Sequence, residues 1–307
     1  DILVSTVRPN LNGVAMVEPE YDGATASTGY CVLRPNPEKI IPSFLFHWVK
    51  TPHFISEMTR NSTGANYPAV SDKTVKEHLI SLPPLDEQKR IAAILDKADL
   101  IRINVDYVAE QQEPFIRSIF CEMFGDIMSN EKKWIQEPLG THMNLINGRA
   151  YSRHELLNEG TPIIRIQNLK GGNKWYYSNM ELPESKYCEN GDLLFAWSAT
   201  FGPFLWKGKR SIYHYHIWKI ELGKSINKEF AYWLLDVMTL SIKNQSHGAS
   251  MLHYGKGKME LLQIPIPPIE LQTRFSKIVS LILDMNFIQA RERTIEMKKS
   301  TMQEMLT

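Results

Sequence analysis

The chain contains a long internal repeat. The segment Leu-Pro-Pro-Leu-Asp-Glu-Gln-Lys-Arg at 82–90 returns as Ile-Pro-Pro-Ile-Glu-Leu-Gln-Thr-Arg at 266–274, which is 184 positions later. A nearby shift aligns Asp-Ile-Leu at 1–3 with Asp-Leu-Leu at 192–194. A repeat of this length with different loops predicts two copies of one module that present two different surfaces.

Length and composition are those of an ordinary globular protein. The 307 residues correspond to about two domains, and the contents of hydrophobic (43%) and charged (22%) residues are unremarkable in size. Cys31, Cys121 and Cys188 are isolated, so no disulfide framework or paired-cysteine metal site is predicted, and we expect a reducing, cytoplasmic environment. The net charge of +1 excludes an indiscriminate nucleic-acid coat protein but is compatible with local contacts to phosphate.

The repeat predicts four segments along the chain. These are a first module at 1–85, a first long helix at 86–125, a second module at 126–269 and a second long helix at 270–307. In the second copy, the stretch 134–191 precedes the residues that align with the beginning of the first copy. We therefore expect the first module to contain only the C-terminal part of the repeat.

Both long helices are predicted from apolar residues at alternating intervals of three and four. The predicted packing positions are Ile91, Ile94, Ile101, Val105 and Val108 in the first helix and Phe275, Ile278, Ile282 and Met285 in the second. Each helix is expected to run for about 38 residues, or roughly 57 Å, and the matched lengths favour an antiparallel pair that holds the modules apart. The alternative is two amphipathic helices that pack on separate cores. Pro114 is expected to kink or end the first helix nearby.

The modules are predicted to be mixed domains with short strands. Apolar and alternating runs predict strands at 162–166, 192–197, 213–220 and 262–266 and a helix at 227–240. The predicted fold class is therefore α+β. It has two repeated modules built on mixed, largely antiparallel sheets and joined by two long antiparallel coiled-coil helices.

The loops between these strands carry side chains that are suited to nucleic acid. Arginine can contact guanine through two hydrogen bonds, asparagine and glutamine can contact adenine, and lysine mainly contacts phosphate. The candidate DNA-binding residues of the second module are Arg149, Tyr151, Ser152, Arg165, Gln167, Asn168, Lys170, Lys174, His214 and His216. Phosphate contacts are predicted for Lys207, Lys209, Arg210, Lys256 and Lys258. Loops at equivalent places after the aligned strands add Arg8 and Asn10 in the first module and Ser198 and Thr200 in the second.

An enzyme is the competing class of protein. His214 and His216 alternate along a predicted strand and could supply two metal ligands, but no third ligand stands at a characteristic spacing. The chain has no HExxH, Walker A, GxGxxG, Asn-Pro-Pro-Tyr or GxSxG sequence. We therefore predict no catalytic residue and no metal in this chain. The alternatives are a structural coiled-coil adaptor that does not read DNA and, less favoured, a metal-dependent hydrolase.

The helix-start segment at 82–96, followed by a long heptad helix, resembles the specificity subunits of type I restriction-modification systems. The Gly-Asp at 191–192 before a predicted strand and the Phe-Gly-Asp at 124–126 are similar to that family as well. The resemblance covers essentially the whole chain. The second helix start departs from the pattern, because it reads Ile-Glu-Leu-Gln at 269–272 where the first reads Leu-Asp-Glu-Gln.

The resemblance implies a role in recognising double-stranded DNA. In that family, two target-recognition domains each read half of a split DNA sequence, and the two long helices form an antiparallel spacer. The spacer docks two modification subunits that use S-adenosylmethionine to methylate adenine. Restriction subunits that use ATP and Mg²⁺ complete the complex. The resemblance thus implies that this chain binds no cofactor, does no chemistry and has no membrane partner.

Overall fold

The computed structural model describes residues 1–198, 200–245, 255–285 and 287–305. It divides into two compact units, the first made of Asp1–Glu110 with Asn286–Thr307 and the second of Gln111–Met285. Each unit has its own buried apolar core. Within the described ranges, no helix is both long enough and apolar enough to cross a membrane.

The elements alternate between short strands and helices. The strands are β1 (Ile2–Ser5), β2 (Val14–Met16), β3 (Tyr30–Leu33), β4 (Gln136–Pro138), β5 (Met143–Asn147), β6 (Thr161–Ile164), β7 (Tyr176–Ser178), β8 (Tyr187–Cys188), β9 (Leu193–Ala196), β10 (Gly202–Leu205), β11 (Ser211–Tyr213), β12 (Ile217–Leu222) and β13 (Gln263–Pro265). The helices are α1 (Pro42–Trp48), α2 (Pro52–Arg60), α3 (Asp72–Lys76), α4 (Leu85–Phe124), α5 (Leu139–His142), α6 (Ile166–Leu169), α7 (Lys228–Gln245), α8 (Lys256–Glu260), α9 (Ile269–Leu283) and α10 (Phe287–Glu304).

The sheets of the two units share one plan. In the first unit, β1 lies between β2 and β3 and is antiparallel to both. In the second, β9 lies between β10 and β12 in the same way, and β5 pairs with the other edge of β12. Ile2 and Val4 of β1 are buried, as are Leu193 and Phe195 of β9. The repeat in the sequence is therefore a repeat in structure, and the predicted α+β fold class is confirmed.

The second unit adds another sheet with the strand order β7-β6-β11-β8. Its β6–β11 pair is parallel, and the other two pairs are antiparallel. Ile164 and Tyr213 from this sheet share a small buried cluster with Leu194 of β9. The loops that leave these two sheets carry most of the predicted DNA-binding residues.

A buried glutamine fixes the start of helix α4 in the first unit. The amide oxygen of Gln88 accepts a hydrogen bond from the backbone N–H of Ile41 (2.9 Å), next to the start of α1. Its amide nitrogen donates to the carbonyls of Lys39 (3.0 Å) and Pro83 (2.8 Å). The side-chain amide thus joins the helix to the module that precedes it.

Gln272 repeats this arrangement in the second unit. It accepts from the backbone N–H of Asn227 (3.0 Å) and donates to the carbonyls of Ser225 (3.0 Å) and Pro267 (2.8 Å). Both glutamines are at most 1% exposed, so each hydrogen bond is shielded from water. The equivalent places of the two glutamines in the sequence repeat therefore reflect one structural joint used twice.

Helix α4 runs without a break for 40 residues. It begins after Pro83 and Pro84, has Asp86 and Glu87 in its first turn, and ends at Gly125, whose φ of 80° favours glycine. Pro114 lies inside the helix and does not end it, which differs from one of the two outcomes expected from the sequence. The bonds of the neighbouring turns and the packing of both helix ends hold the helical path where the proline N–H is missing.

The second long helix predicted at 270–307 is divided into α9 and α10. Helix α9 ends in a cap at Asp284, whose backbone N–H donates to the carbonyl of Ser280 at 2.8 Å. The Ser280 hydroxyl also donates to the Asp284 carboxylate at 3.1 Å. Such local side-chain bonds compete with a continuing helix. Helix α9 therefore ends here, although residues 280–285 include neither glycine nor proline.

The predicted packing positions differ in burial. Ile91 and Phe275 are buried, and Ile94, Val105, Ile278 and Ile282 are partly buried, whereas Ile101, Val108 and Met285 are exposed. In the first unit, Leu95 of α4 and Met302 of α10 share one buried core. In the second unit, Phe120 and Phe124 of α4 contact Phe275 of α9, with both ring centroids 5.4 Å away.

Helix α4 is antiparallel to its neighbour in each unit. In the first unit, its ion pairs run in reverse order along α10: Arg90 with Glu304, Asp99 with Lys298 and Asp106 with Arg291. In the second unit, the Gln112 amide donates to the carbonyl of Ile282, near the end of α9, at 2.6 Å. The predicted antiparallel orientation is thus found within each unit.

One predicted strand is wrong. The sequence predicts a single strand at 213–220, but β11 ends at Tyr213 and β12 begins at Ile217. A tight turn lies between them, because the N–H of Ile217 bonds to the carbonyl of His214 at 2.9 Å. His214 and His216 therefore lie in a turn and do not alternate along one strand. The predicted strands at 162–166, 192–197 and 262–266 and the helix at 227–240 correspond to β6, β9, β13 and α7.

Candidate nucleic-acid interface

Two loops of the second unit come together around an open cavity of about 420 Å³. One loop follows β6 and begins with Arg165, Ile166 and Gln167, and the other is the turn from His214 to His216. Four of the predicted DNA-binding residues are therefore brought together from two segments that are distant in sequence. These four are Arg165, Gln167, His214 and His216.

A close backbone approach beside Gly148 positions the His214 turn. A Cβ atom at residue 148 would lie 2.3 Å from the His214 carbonyl oxygen, so this site accepts only glycine without a backbone shift. The next residue, Arg149, donates its N–H to the Tyr213 carbonyl (3.1 Å) and accepts from the Tyr215 N–H (3.0 Å). The strand end at β5 thus holds the turn between β11 and β12.

Asn168 organises the loop that carries Arg165 and Gln167. Its amide oxygen accepts from the Arg165 backbone N–H at 3.0 Å, and its amide nitrogen donates to the carbonyls of Gly172 and Lys174 at 3.2 and 3.0 Å. The Asn168 side chain is buried, so its polar groups are used inside the loop. Gln167 is exposed, although its amide nitrogen also donates to the Lys174 carbonyl at 2.9 Å.

Aromatic rings form one wall of the site. The His216 ring centroid lies 3.9 Å from that of Tyr215, 5.0 Å from that of His214 and 5.1 Å from that of Trp197. The Trp197 indole N–H donates to the Tyr215 carbonyl at 2.8 Å, which fixes the ring at the end of β9. Such rings offer flat faces for stacking and edges for hydrogen bonds.

His214 is uncharged at neutral pH. Burial, followed by the neighbouring His216 and Arg165, lowers the pKa of His214 to about 4. A neutral imidazole has one donor and one acceptor nitrogen, so it can form hydrogen bonds to base edges of either polarity. The site therefore combines a guanidinium, an amide and a neutral imidazole.

Arg149 and Ser152 are engaged by one carboxylate. Arg149 forms an ion pair with Glu155 at 2.6 Å, and Ser152 donates both its N–H (2.8 Å) and its hydroxyl (2.7 Å) to the same side chain. These bonds lower the pKa of Glu155 to about 2, and the bond from Arg149 has the largest effect. Tyr151 lies beside Arg149, and burial raises the pKa of its phenol to about 12. This group stabilises the loop after β5.

The predicted phosphate contacts fall into two sets. Arg210 and Lys256 are ion-paired: Arg210 with Glu184 at 2.7 Å and with Glu189 at 3.0 Å, and Lys256 with Glu260 at 3.4 Å. Lys207, Lys209 and Lys258 are exposed, as are Lys170 and Lys174. Lys207 and Lys209 follow Trp206 on the turn between β10 and β11. These residues and Trp175 line an open cavity of about 310 Å³.

Ser198 and Thr200 are partly buried in the loop after β9. The Thr200 N–H donates to the Ser198 carbonyl at 2.6 Å. Residue 199 lies outside the described ranges. The pair follows directly on Trp197, whose ring belongs to the aromatic wall.

Arg8 and Asn10 lie at the corresponding end of β1 in the first unit. Arg8 has a left-handed backbone (φ 50°), and its guanidinium carbon is 4.6 Å from the centroid of the Tyr67 ring. Asn10 is exposed in a short 3₁₀ turn, Pro9–Leu11. Tyr67 was not predicted from the sequence. The one sequence feature that could have identified Tyr67 is its place as an aromatic residue in a loop that contains glycine and asparagine.

The described residues contain no group of three His, Cys, Asp or Glu side chains that could hold a metal ion. The rings of His214 and His216 lie close together, and the other described residues that line the cavity are Arg165, Ile166, Gln167 and Tyr215. The arrangement is therefore suited to hydrogen bonding and stacking.

Comparisons with known proteins identify a family for the chain. A family model described as type I restriction modification DNA specificity domain matches residues 1–106 and 131–297. The chain is 25% identical over 180 residues to the type I restriction enzyme EcoBI specificity subunit of Escherichia coli. That match covers 57% of this chain and 38% of the relative, so it spans less than half of the relative's length.

Two solved structures share the fold. The first is a chain from a structure of the complex assembly and conformational transition of the type I R-M system. It has a TM-score of 0.67 and 21% identity, and the match covers 99% of this chain and 80% of that one. The second is the HsdS subunit from Thermoanaerobacter tengcongensis, with a TM-score of 0.53, 24% identity and coverages of 98% and 78%.

Proposed function

The chain belongs to the family of type I restriction-modification DNA specificity domains, and from that premise we propose that it recognises a two-part DNA sequence for partner subunits that modify and cut the DNA. The observation that carries the proposal is the repeated sheet plan. Each unit has a strand between two antiparallel neighbours, followed by a loop with polar and aromatic side chains. Because these loops differ, each unit would read a different half of the target.

In the second unit, the cavity beside Arg165, Gln167, His214 and His216 would contact base edges. A guanidinium suits the two acceptors of guanine, and an amide suits the donor and acceptor of adenine. The neutral His214 would add a hydrogen bond without a charge. Arg149, Ser152 and Asn168 would support this surface from within, since their polar groups are already paired.

Exposed lysines would supply the contacts to the DNA backbone. They are Lys170, Lys174, Lys207, Lys209 and Lys258. A compact ammonium contacts phosphate without reading sequence, so these residues would set the affinity and its salt dependence. Arg8 and Asn10 would contact DNA from the first unit.

We assign four functional segments. The first target-recognition domain is 1–85, the first spacer helix 86–125, the second target-recognition domain 126–269 and the second spacer segment 270–307. Helix α4 has an exposed apolar stripe at Leu100, Ile103 and Tyr107, at intervals of three and four. Such a stripe suits contact with a partner protein.

The partners would be two modification subunits and the restriction subunits. The former would use S-adenosylmethionine and the latter ATP and Mg²⁺, while this chain would hold none of these cofactors and catalyse nothing. A methyltransferase takes its target base out of the duplex, so this chain would grip the flanking bases.

The test is to express the chain with its modification subunit in a host without adenine methylation and to map methyladenine across the genome. We expect a two-part motif with a fixed gap, which disappears when this chain is omitted. A stable complex that methylates no defined sequence would contradict DNA recognition and would support a structural adaptor.

A further inference from the structure

Five arginines lie against aromatic rings in the described part of the chain. The pairs are Arg8 with Tyr67, Arg117 with Trp233, Arg149 with Tyr151, Arg165 with Tyr176 and Arg210 with Tyr187. Stacking orients the planar guanidinium but leaves its N–H groups available at the edge. The five pairs therefore differ in function according to what the N–H groups contact.

Three of these arginines are occupied by carboxylates. The ion pairs are Arg117 with Asp236 at 2.8 Å, Arg149 with Glu155 at 2.6 Å and Arg210 with Glu184 at 2.7 Å. Within the described ranges, Arg8 and Arg165 form no ion pair with a carboxylate. Each unit thus has one arginine that is stacked on a tyrosine and keeps its charge uncompensated.

The Arg8 pair is held by the backbone. The Arg8 N–H donates to the Pro68 carbonyl at 2.7 Å, and Val7 forms an isolated β-bridge with Ala69. These bonds hold Arg8 in the left-handed conformation, which is costly for a residue with a side chain and is often found at functional sites. Tyr67 is 68% exposed, so the pair lies at the protein surface.

The Arg165 pair is held by the loop after β6. The Arg165 N–H donates to the Asn168 amide oxygen at 3.0 Å, and its guanidinium carbon lies 5.3 Å from the centroid of the Tyr176 ring. Lys174 and then Arg165 lower the pKa of the Tyr176 phenol, as expected for a ring edge beside two cations. Arg165 also lines the cavity that contains His214 and His216.

We infer that Arg8 and Arg165 are the guanine-reading residues of the two units, each oriented by its tyrosine. The inference rests on the proposed function and specifies the target, which would contain a G·C pair in each half. Guanine offers two acceptors, N7 and O6, at the spacing of two guanidinium N–H groups. A stacked arginine loses little further freedom on making these two bonds.

A contact to phosphate alone suits these two residues less well. Phosphate contacts need only charge, and the flexible exposed lysines of the chain already supply it. The backbone of Arg8 is strained, and the backbone of Arg165 is held by the buried Asn168. Both features fix the direction in which the arginine side chain points. Tyr67 and Tyr176 therefore act as positioning residues.

The test uses the complex with the modification subunit, the methylome of each variant and binding to a panel of duplexes with single base changes. We expect Arg8→Ala to relax one G·C position in one half of the motif, with a roughly 5- to 150-fold loss of preference there. Arg165→Ala should relax one G·C position in the other half. Arg8→Lys and Arg165→Lys should restore binding but not the preference.

The tyrosine variants separate position from charge. Tyr67→Phe and Tyr176→Phe keep the ring and should keep the motif, whereas Tyr67→Ala and Tyr176→Ala should weaken the preference at the same positions as the arginine variants. Arg34→Ala and Arg210→Ala are matched controls, because both arginines are ion-paired, Arg34 with Asp1 at 2.6 Å and Arg210 with Glu184 at 2.7 Å. Both controls should keep the motif.

Failure of the inference is distinct from failure of the proposed function. A wild-type complex that methylates no defined sequence contradicts the function. A wild-type two-part motif that Arg8→Ala and Arg165→Ala leave unchanged, or that has a half with only A·T pairs, overturns the inference alone. Equal weakening on every duplex also overturns it, because that is the behaviour of phosphate contacts.

Discussion

At the scale of single residues, the candidate site depends on a close backbone approach at one glycine. Gly148 lets the end of β5 approach the turn between β11 and β12. A methyl group on residue 148 would collide with the backbone of that turn. That approach places Arg149 against the backbone of Tyr213 and Tyr215. The position of His214 in the cavity therefore depends on a glycine at the end of the neighbouring strand β5.

Gly148→Ala should destabilise the second unit by about 2–4 kcal/mol, because its Cβ would lie 2.3 Å from one carbonyl oxygen and 2.5 Å from another. Urea unfolding measures this change. Gly257→Ala is the control, since nothing lies within 4 Å of its Cβ position in α8, and it should be neutral or stabilising by up to about 1 kcal/mol. Equal stabilities for the two variants would contradict the tight approach at Gly148.

His214 gives the second residue-scale prediction. Its pKa is about 4 in the folded chain against an ordinary 6.5, so between these values the unfolded chain binds a proton that the folded chain does not. The stability present above pH 6.5 should therefore fall as the pH drops to 4, by roughly 1–2 kcal/mol for this partly buried group.

The measurement compares unfolding at pH 7.5 and pH 5 for the wild type and His214→Asn. The variant should lose less stability on acidification. An identical loss for the wild type and His214→Asn would contradict the prediction, because it would mean that the pKa of His214 is the same in the folded and unfolded chain.

Residue types at the site were predictable, but their roles were not. Gln167 was predicted from a loop and Arg165, His214 and His216 from strand residues with donors or rings, and all four line one cavity. Arg210 was expected to contact phosphate, yet Glu184, which precedes it by 26 positions, pairs with it. A partner that far away in the chain leaves no local signal, so the sequence cannot separate an occupied arginine from an available one.

At the scale of elements, ion pairs fix how α10 lies along α4 in the first unit. Lys298 contacts Asp99 at 2.5 Å, and both side chains are about 20% exposed. Arg291 contacts Asp106 at 3.1 Å. Charges of opposite sign thus face each other along α4 and α10, which favours one register over its neighbours.

The Asp99–Lys298 pair should have a coupling energy of about 1–3 kcal/mol, because partial burial reduces its screening by water. A double-mutant cycle with Asp99→Ala and Lys298→Ala, followed by urea unfolding, measures it. The exposed pair Lys73–Glu77, at 3.8 Å, is the control and should show less than about 0.5 kcal/mol. Equal coupling in the two pairs would mean that the α4–α10 contact is no better shielded than the surface.

The elements also show where sequence patterns fail. The repeat, the start of α4 and the end of α4 at Gly125 were all predictable, because prolines, acids and glycine mark them locally. The division between α9 and α10 was missed, since the apolar pattern continues through Asp284. The turn at His214 was missed for a related reason: it is held by Arg149, far away in the sequence, while the aromatic alternation runs on unchanged.

At the scale of the whole molecule, a near-neutral chain should bind DNA through a few local charges. Replacing Lys207 and Lys209 together by alanine should make the slope of log affinity against log salt less steep by about 2. Each phosphate contact releases about one counterion when it forms, and the variant would lack two such contacts. Fluorescence anisotropy with a duplex that carries the mapped motif, at several salt concentrations, measures the slope.

The control removes the same charge elsewhere. Lys73 and Lys76 of α3 lie beside Glu77 and Asp72, and their double replacement should leave the slope unchanged. If both double variants change the slope equally, the effect comes from net charge and not from the turn between β10 and β11.

The paired glutamines have a consequence for how such chains change over evolutionary time. Gln88 and Gln272 grip the same three backbone groups in their respective units, and backbone groups are common to every sequence. A different module that presents one N–H and two carbonyls at these points would form the same three hydrogen bonds with either glutamine. The helix that carries the glutamine would need no change. A whole module could therefore be exchanged while the start of the helix stays the same, and, if each module reads DNA as proposed, such an exchange would change the target.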